Sequence, residues 1–298
     1  DKMEGQQKGD LIEDFASAIP VEVIGNLLNV PHADRGPLRA WSLAILGALE
    51  PRLTPAQEEL GHRSVQEFLC YLRDLVAERR KHPGNPDQDV LTRLIQGEMI
   101  NGTHPASTET LSEVELLQNC IFLLNAGHET TTNLIGNALI SLIENPMQQA
   151  MLKSDLSAAK NSQQAELETQ VLNVAVDEFL RFEASNQLSN RRAVKATQIG
   201  GLQLPEGALV TLCIGAANRD PLQFNAPESL DLRRTPNKHL SFGFGVHQCA
   251  GLSLARLEGR VAIGRFLNRF PNYHLSEPPT RGGRARFRGF LNAPFITN

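Results

Sequence analysis

The decapeptide Phe242–Gly251, FGFGVHQCAG, places one cysteine among three glycines, directly before a stretch with helical periodicity. Cys249 therefore lies at a predicted helix start. There the unpaired backbone N–H groups and the positive end of the helix dipole favour a thiolate over a thiol. Glycine also lets a backbone approach a ligand closely. A thiolate can attack a substrate or bind a metal, and the residues around Cys249 must distinguish these uses.

His247 is the local candidate for a general base, because a nucleophilic cysteine needs one nearby. Nothing in the surrounding sequence orients that histidine. A flat, bulky cofactor lying against a glycine-lined loop explains the three glycines better, with Phe242 shielding the sulfur. A buried structural cysteine in a turn is the remaining alternative.

The composition is that of an ordinary globular protein. The 298 residues are 41% hydrophobic and 21% charged, with a net charge of −4, so we expect no affinity for nucleic acid or for anionic membranes. No apolar run is long enough for a transmembrane helix and no signal peptide is recognised. The four cysteines are far apart and show no metal-type pairing. We expect reduced cysteines and a cytoplasmic location.

Two capping boxes mark helix starts, one at Thr54 and Gln57 and one at Ser112 and Glu115. No proline interrupts the apolar pattern from Ser112 until Pro146. The second box therefore predicts a helix of about 30 residues, roughly 45 Å long. Because apolar side chains, Phe122 among them, cover most of its faces, we expect this helix to be buried.

The middle of that helix reads AGHETT, from Ala126 to Thr131. Glycine and threonine are poor helix formers, and a threonine hydroxyl that bonds back to the backbone can bend or open a turn. Two interpretations remain open. Gly127 permits close helix packing beside solvent-facing threonines, or a widened turn admits a ligand, with Glu129 and Thr130 beside it.

Glu178 and Arg181 lie on one face of a helix predicted over residues 164–183. Such a pair is often a surface salt bridge of little energy. Here the surrounding sequence, VAVDEFLRF, is apolar. Burial would require the two charges to be held to each other and to a third group.

The rest of the chain is predicted from turns and periodicity. Short strands and turns after Phe182 indicate an antiparallel β region, and a helix follows Cys249 as far as Pro271. NYHL and FRGFLNAPF indicate a hairpin near the end. One helical pattern runs from Asp10 to Val30 with Pro20 in its first turn, and residues 1–9 are expected to be frayed.

The loop resembles the haem-binding signature FxxGxxxCxG of the cytochrome P-450 family at Phe242, Gly245, Cys249 and Gly251. Three further segments resemble family elements. AGHETT is similar to the oxygen-binding segment, EFLR to the ExxR element, and NRRA to a segment whose arginine, Arg191 in this register, pairs with a haem propionate. The family completes ExxR with a later arginine, whose position Arg234 matches.

The resemblance implies a mainly α fold with a smaller antiparallel β region (α+β), as in bacterial soluble members of the family. It covers nearly the whole chain, so residues 1–298 are expected to form a single domain, the C-terminal two-thirds or so of the family fold. The family's N-terminal part has no counterpart in the sequence. We therefore expect weak or heterogeneous haem binding by the chain as written.

The resemblance also implies a cofactor, haem b (iron protoporphyrin IX), with Cys249 as the proximal iron ligand. It implies propionate contacts from Arg191 and His247, and proton delivery by Glu129 with a hydrogen bond from Thr130. The other implied haem contacts are Phe242, Gly245, Gly251, Ala126 and Gly127.

The implied activity is that of a haem-thiolate monooxygenase acting on a small organic substrate. The sequence has no flavin or iron–sulfur motif, so a ferredoxin-type or flavin redox partner must supply electrons. The implied pocket residues are Ser185, Asn186, Leu188, Phe290 and Leu291. Family members often have proline and valine where this chain has Ser185 and Asn186, so we expect a substrate with a polar group.

Three alternatives stay open. The first is a non-catalytic haem-binding or partner-docking relative. The second is a peroxide-driven peroxygenase, although such members tend to lack the acid–alcohol pair that Glu129 and Thr130 form. The third is a thiol hydrolase that uses Cys249.

Overall fold

The computed structural model describes residues 3, 5, 7–96, 111–162 and 165–297. Their backbone divides into two compact units. One unit comprises Ser17–Thr132, and the other comprises Asp1–Ala16 with Asn133–Asn298. Residues 101–110, which the sequence predicts as a polar loop, lie outside the described ranges.

The unit Ser17–Thr132 is helical. Its helices are α1 (Ala18–Leu27), α2 (Leu38–Gly47), α3 (Pro55–Lys81), α4 (Val90–Gln96) and the first part of α5 (Glu113–Glu144), with a short 3-10 turn at His32–Asp34. Both predicted capping boxes form. Gln57 N–H donates to Thr54 Oγ1 at 3.3 Å, and Glu115 N–H donates to Ser112 Oγ at 3.3 Å. The helix predicted from Ser112 to Pro146 is confirmed.

Helices α2 and α3 pack together in this unit. The rings of Trp41 and Phe68 stack with their centroids 5.0 Å apart. Phe68 and Leu72 are fully buried in a core that also contains Ile24 and Leu124. This core therefore joins α1 and α3 to the first part of α5.

The second unit holds the rest of α5 with α6 (Pro146–Asn161), α7 (Ala165–Phe182), the short α8 (Ile214–Ala217) and α9 (Leu252–Arg269). Helix α7 packs against both α6 and α9. The ring of Phe266 contacts Phe15, Phe270, Tyr273 and Phe295, with centroids 4.9 to 5.6 Å apart. This aromatic cluster forms part of the core.

The strands of this unit form small antiparallel sheets, as the sequence predicts. In the three-stranded sheet, β9 (Pro294–Thr297) lies between β1 (Lys8–Asp10) and β6 (Tyr273–Leu275). The remaining strands pair two by two: β2 (Leu188–Arg192) with β5 (Leu209–Cys213), β3 (Thr197–Ile199) with β4 (Leu202–Leu204), and β7 (Thr280–Arg281) with β8 (Phe290–Asn292). The mainly α fold with a smaller antiparallel β region is confirmed.

One local prediction is wrong and two are confirmed only in part. Lys8 and Gly9 are not frayed, because they pair with Ile296 and Phe295. The helical pattern predicted from Asp10 to Val30 is confirmed over α1, with Pro20 in its first turn, but a π-helical segment, Leu11–Ala16, comes before α1. The predicted terminal hairpin is divided between two sheets, since β6 pairs with β9 whereas β8 pairs with β7. The strand Lys8–Asp10 and the divided hairpin depend on pairing between distant segments.

In the part of the chain that the structure describes, each helix is too short or too polar to cross a membrane.

Candidate functional site

The loop that carries Cys249 is fixed by its own backbone. Gly243 and Gly245 adopt φ values of +68° and +71°, which glycine reaches without strain. The Cys249 N–H donates to the carbonyl oxygen of Phe242 at 2.8 Å, and the Gln248 N–H donates to that of Gly245 at 3.0 Å. The glycines therefore let the chain fold back so that Cys249 lies next to the backbone of Phe242.

Helix α9 begins directly after the cysteine, with Gly251 at its N-cap. A Cβ added to Gly251 would come within 3.9 Å of Cys249 Sγ. The sulfur thus lies beside the start of α9, as the sequence predicts.

The surface around the sulfur suits an apolar cofactor bound through a thiolate. Cys249 is a free, exposed thiol. Phe244 and Val246 are 82% and 97% exposed, and His247 is exposed beside them. Exposed apolar side chains next to a soft metal ligand and an imidazole match the chemistry of haem, which has an apolar macrocycle and two anionic propionates. The residues present therefore fit haem b.

Arg191 lies on β2, opposite Val210 of β5. It is half-buried, whereas Arg192 is exposed. Its Nη1 donates to Ser189 Oγ at 3.0 Å and to the carbonyl oxygen of Asn190 at 2.8 Å. These contacts hold the guanidinium group of Arg191 close to its own strand.

The structure brings Glu178, Arg181 and Arg234 together. Arg181 donates to both carboxylate oxygens of Glu178 at 2.8 Å, and Arg234 Nε donates to Glu178 Oε2 at 3.0 Å. The side chains of Glu178 and Arg181 are completely buried. Arg181 also donates to the carbonyl oxygens of Asn218 and Pro227. This network ties α7 to the segment that leads into the cysteine loop.

Gly127 faces a neighbouring helix. A Cβ at Gly127 would lie 2.3 Å from Cδ1 of Ile24 on α1. Helix α5 is α-helical throughout Glu113–Glu144. Of the two interpretations of this glycine, the structure supports close helix packing.

Thr130 bonds back to the helix, as the sequence suggested. Its Oγ1 donates to the carbonyl oxygen of Ala126 at 2.8 Å. Phe122, Ala126 and Thr130 follow at intervals of four residues and so share one face of α5. Phe122 is 66% exposed and Ala126 is exposed, so the expectation that this helix is buried is wrong for this face. The apolar pattern predicts Phe122 to be a core residue.

Two neighbouring residues of this segment are buried. Glu129 is 5% exposed and His128 is 1% exposed. Burial, with a smaller effect from the nearby charge of Arg39, lowers the pKa of His128 to about 4. His128 is therefore neutral at physiological pH.

The expected pocket residues fall into two groups. Ser185 and Phe290 are buried, whereas Asn186 and Leu188 are half-buried and Leu291 is 45% exposed. Asn186 bridges to Phe287 in a short antiparallel pairing. Leu188, Asn186 and Leu291 are thus more accessible than the other two.

Glu183 is held by two arginines next to the expected pocket segment. Arg288 Nε donates to its Oε2 at 2.6 Å, and Arg281 Nη1 donates to the same oxygen at 3.2 Å. Burial raises the pKa of Glu183, but the hydrogen bonds and charges of these arginines outweigh it and leave the pKa below its usual value. Because Arg288 N–H also donates to the carbonyl oxygen of Ser185, the ion pairs fix the expected pocket segment. No short motif marks this residue.

Comparison with known proteins agrees with the interpretation of the cysteine loop as a haem-binding site. A family model described as cytochrome P-450 matches residues 45–289. The biotin biosynthesis cytochrome P-450 of Bacillus subtilis (strain 168) is 34% identical over 279 residues, which are 93% of this chain and 64% of the relative. Cytochrome P-450 107B1 of Saccharopolyspora erythraea is 36% identical over 280 residues, 94% of this chain and 62% of that protein.

Among solved structures, P-450BioI in complex with an acyl carrier protein ligated to hexadec-9Z-enoic acid matches with a TM-score of 0.86 and 33% identity. The match covers 100% of this chain and 71% of that one. The chain spans less than two thirds of the length of the two curated relatives. The family match extends over most of the chain and includes the cysteine loop, the ExxR network and the AGHETT segment. This chain therefore belongs to the cytochrome P-450 family.

Proposed function

We propose that the chain is the haem-binding part of a cytochrome P-450 monooxygenase that oxidises a small organic substrate. The observation that carries this proposal is the loop Phe242–Gly251. Its exposed, free Cys249 thiol lies next to the backbone of Phe242 and beside the start of α9, in a loop that also exposes the apolar side chains of Phe244 and Val246. When bound, haem supplies oxygen activation, which thiolate ligation promotes.

The chain's own residues bind and orient in this proposal. Cys249 is the iron ligand, and the N–H groups at the start of α9 stabilise its negative charge. Arg191 and His247 bind propionates through charge-assisted hydrogen bonds. Phe242, Gly245 and Gly251 shape the surface on which the macrocycle lies.

The residues of α5 handle protons. The hydroxyl group of Thr130 donates to the carbonyl oxygen of Ala126. It can rotate to donate the same proton to a molecule bound beside the helix. Glu129 is the acid that resupplies protons. Ala126 leaves room beside Thr130, because a methyl group is all that projects there. Gly127 supports this arrangement through helix packing.

The substrate we propose combines an apolar body with at least one polar group. Leu188 and Leu291 offer accessible apolar side chains, and Asn186 offers an amide. P-450BioI was solved with a fatty acyl group carried by an acyl carrier protein. Hexadecanoic acid and hexadecane are therefore a suitable matched pair of probes, since they differ in one carboxylate. Spin-state shifts with the alkane alone would contradict the polar part of the proposal.

Electrons come from a separate ferredoxin-type or flavin redox partner in this proposal. The location that we propose is cytoplasmic, which is consistent with the four free cysteines. We also propose that residues 1–298 belong to one functional domain.

The test is haem titration followed by turnover. Haem is added in excess to the chain, and oxidised product is measured with NAD(P)H, a ferredoxin and its reductase. We expect a saturable Soret change and partner-dependent product. A saturable Soret change without product, both with NAD(P)H and the redox proteins and with hydrogen peroxide, would favour a non-catalytic relative. Product with hydrogen peroxide alone would favour a peroxygenase.

A further inference from the structure

The segment that enters the cysteine loop is tied to α7. His239, whose side chain is 3% exposed, bonds through Nε2 to Asp177 Oδ1 at 3.3 Å. The Ser241 N–H donates to His239 Nδ1 at 3.3 Å, so the imidazole proton lies on Nε2 and is donated to Asp177. Ser241 Oγ donates to the carbonyl oxygen of Leu180 at 2.6 Å. Two consecutive turns of α7 therefore hold the loop entrance.

The segment that leaves the loop is tied to the same atom. Arg256 lies on α9, after Cys249, and its Nε donates to Asp177 Oδ1 at 2.8 Å. One carboxylate oxygen thus accepts hydrogen bonds from both sides of the loop. Burial raises the pKa of Asp177, but the hydrogen bonds from His239 and Arg256 and the charge of Arg256 outweigh it, so its pKa lies below the usual value. Asp177 is ionised at neutral pH.

Both groups held by Asp177 also contact Phe242. The His239 ring lies 5.8 Å from the Phe242 ring, centroid to centroid. The guanidinium carbon of Arg256 lies 4.8 Å from the centroid of the same ring, a cation–π distance. The carbonyl oxygen of Phe242 accepts the N–H of Cys249 at 2.8 Å. A continuous chain of contacts therefore leads from Asp177 to the backbone of Cys249.

We propose that Asp177 is a positioning residue that clamps Phe242 between His239 and Arg256 and thereby fixes Cys249 in its loop. The contacts that form this clamp are made by the protein's own residues and do not depend on bound haem. The consequence of the clamp for thiolate ligation rests on the proposed function. The short motifs include Phe242 and Cys249 but not Asp177, His239 or Arg256.

Hydrogen exchange in the haem-free chain tests the clamp directly. Asp177→Ala removes the shared acceptor, and alanine is a better helix former than aspartate, so α7 itself is not weakened. We expect amides in residues 242–249 to exchange about five- to tenfold faster, as for the loss of a modest local interaction. Asp177→Asn keeps Oδ1 as an acceptor and should restore most of the protection. Exchange in the β2–β5 ladder should not change.

Asp155→Ala is the matched control. Asp155 also lies on a helix of this unit and accepts two hydrogen bonds from one arginine, Arg233, and among the described residues neither side chain forms a hydrogen bond or ion pair with the loop segment 239–256. The control should leave exchange in residues 242–249 unchanged. Equal exchange in Asp177→Ala and in the parent chain would overturn the clamp. Equal acceleration by Asp155→Ala would do so as well.

The haem-loaded chain gives the second readout. In Asp177→Ala we expect the reduced carbon-monoxide band at about 450 nm, the mark of thiolate ligation, to convert to a shorter-wavelength band several-fold faster than in the parent chain. An unchanged conversion rate would show that the clamp does not stabilise Cys249 as the thiolate ligand. If the parent chain has no such band, the proposed function fails, while the exchange experiment still decides on the clamp.

Discussion

Thr130 donates its hydroxyl proton to the carbonyl oxygen of Ala126 at 2.8 Å. Two residues later, Thr132 makes the same kind of bond to the carbonyl oxygen of His128 at 3.0 Å. The environments differ, because Thr132 is buried whereas Thr130 is half-buried on the face that carries Phe122. The chain thus contains a candidate catalytic threonine and a matched internal control.

Replacing Thr130 by alanine should uncouple electron consumption from product formation. Without its hydroxyl group, proton delivery at the reaction site fails, and product per NAD(P)H consumed should fall about tenfold. Haem binding should not change. Thr132→Ala should leave the ratio near that of the parent chain. Equal ratios in the two variants would contradict the role of Thr130.

Removing Arg181 should destabilise the fold strongly. Arg181→Ala leaves the carboxylate of Glu178 buried without its bidentate partner, and we expect a loss of about 3–5 kcal/mol in the free energy of unfolding. Denaturant titration followed by circular dichroism measures this loss. Arg233→Ala breaks an exposed pair with Asp155 and should cost less than about 1 kcal/mol. Similar costs for both variants would mean that burial of the network is unimportant.

A double-mutant cycle tests whether Gly127 serves packing. Alanine at Gly127 gains about 1 kcal/mol in helix propensity, but its Cβ would overlap Cδ1 of Ile24. We expect Gly127→Ala to lose about 1–2 kcal/mol of stability in total. Ile24→Val removes Cδ1 and should cost about 1 kcal/mol alone.

In the double variant the two losses should add only in part, because the overlap with Cδ1 at 2.3 Å has been removed and only Cγ1, at 2.8 Å, remains close to the new Cβ. Additive costs, measured by thermal or denaturant unfolding of all four proteins, would show that Gly127 is not packed against Ile24.

Glu258 should make stability depend on pH. This carboxyl lies on α9, is 7% exposed, and its Oε2 lacks a hydrogen-bond partner among the described residues. Burial raises its pKa from 4.5 to about 7. The folded chain therefore binds the proton more tightly than the unfolded chain does. Stability from this group is complete below the unfolded pKa, declines as pH rises between the two values, and is lost above the folded one.

Glu258→Gln should accordingly be more stable than the parent chain by about 2 kcal/mol near pH 8, with a much smaller difference near pH 5. Unfolding at both pH values measures the change. If the stability difference between Glu258→Gln and the parent chain did not vary with pH, the raised pKa of Glu258 would be contradicted.

Much of the site could be predicted because its residues lie close together in the sequence. The glycines, Cys249 and the helix that follows are contiguous in sequence. Each capping box pairs residues three positions apart. Arg234 could be assigned to Glu178 because a buried acid and base required a third partner and the family supplied its position.

Other features depend on contacts that no local pattern reveals. Lys8 and Gly9 form a strand only because β9, at the far end of the chain, offers them an edge. The sequence of AGHETT left open which side of the helix Gly127 occupies, and Ile24 decides it. His239 and Asp177 lack a fixed spacing, so their contact could not be inferred from the sequence.

The central claim is that Cys249 is the thiolate ligand of a haem, and one pair of variants tests it most directly. Cys249 and Cys213 are both free and exposed, so replacing each by serine is a matched comparison. The chain is loaded with excess haem, reduced, and exposed to carbon monoxide. We predict a difference band at about 450 nm in the parent chain and in Cys213→Ser, and its loss in Cys249→Ser. Persistence of that band in Cys249→Ser, or its absence from the parent chain, would contradict the claim.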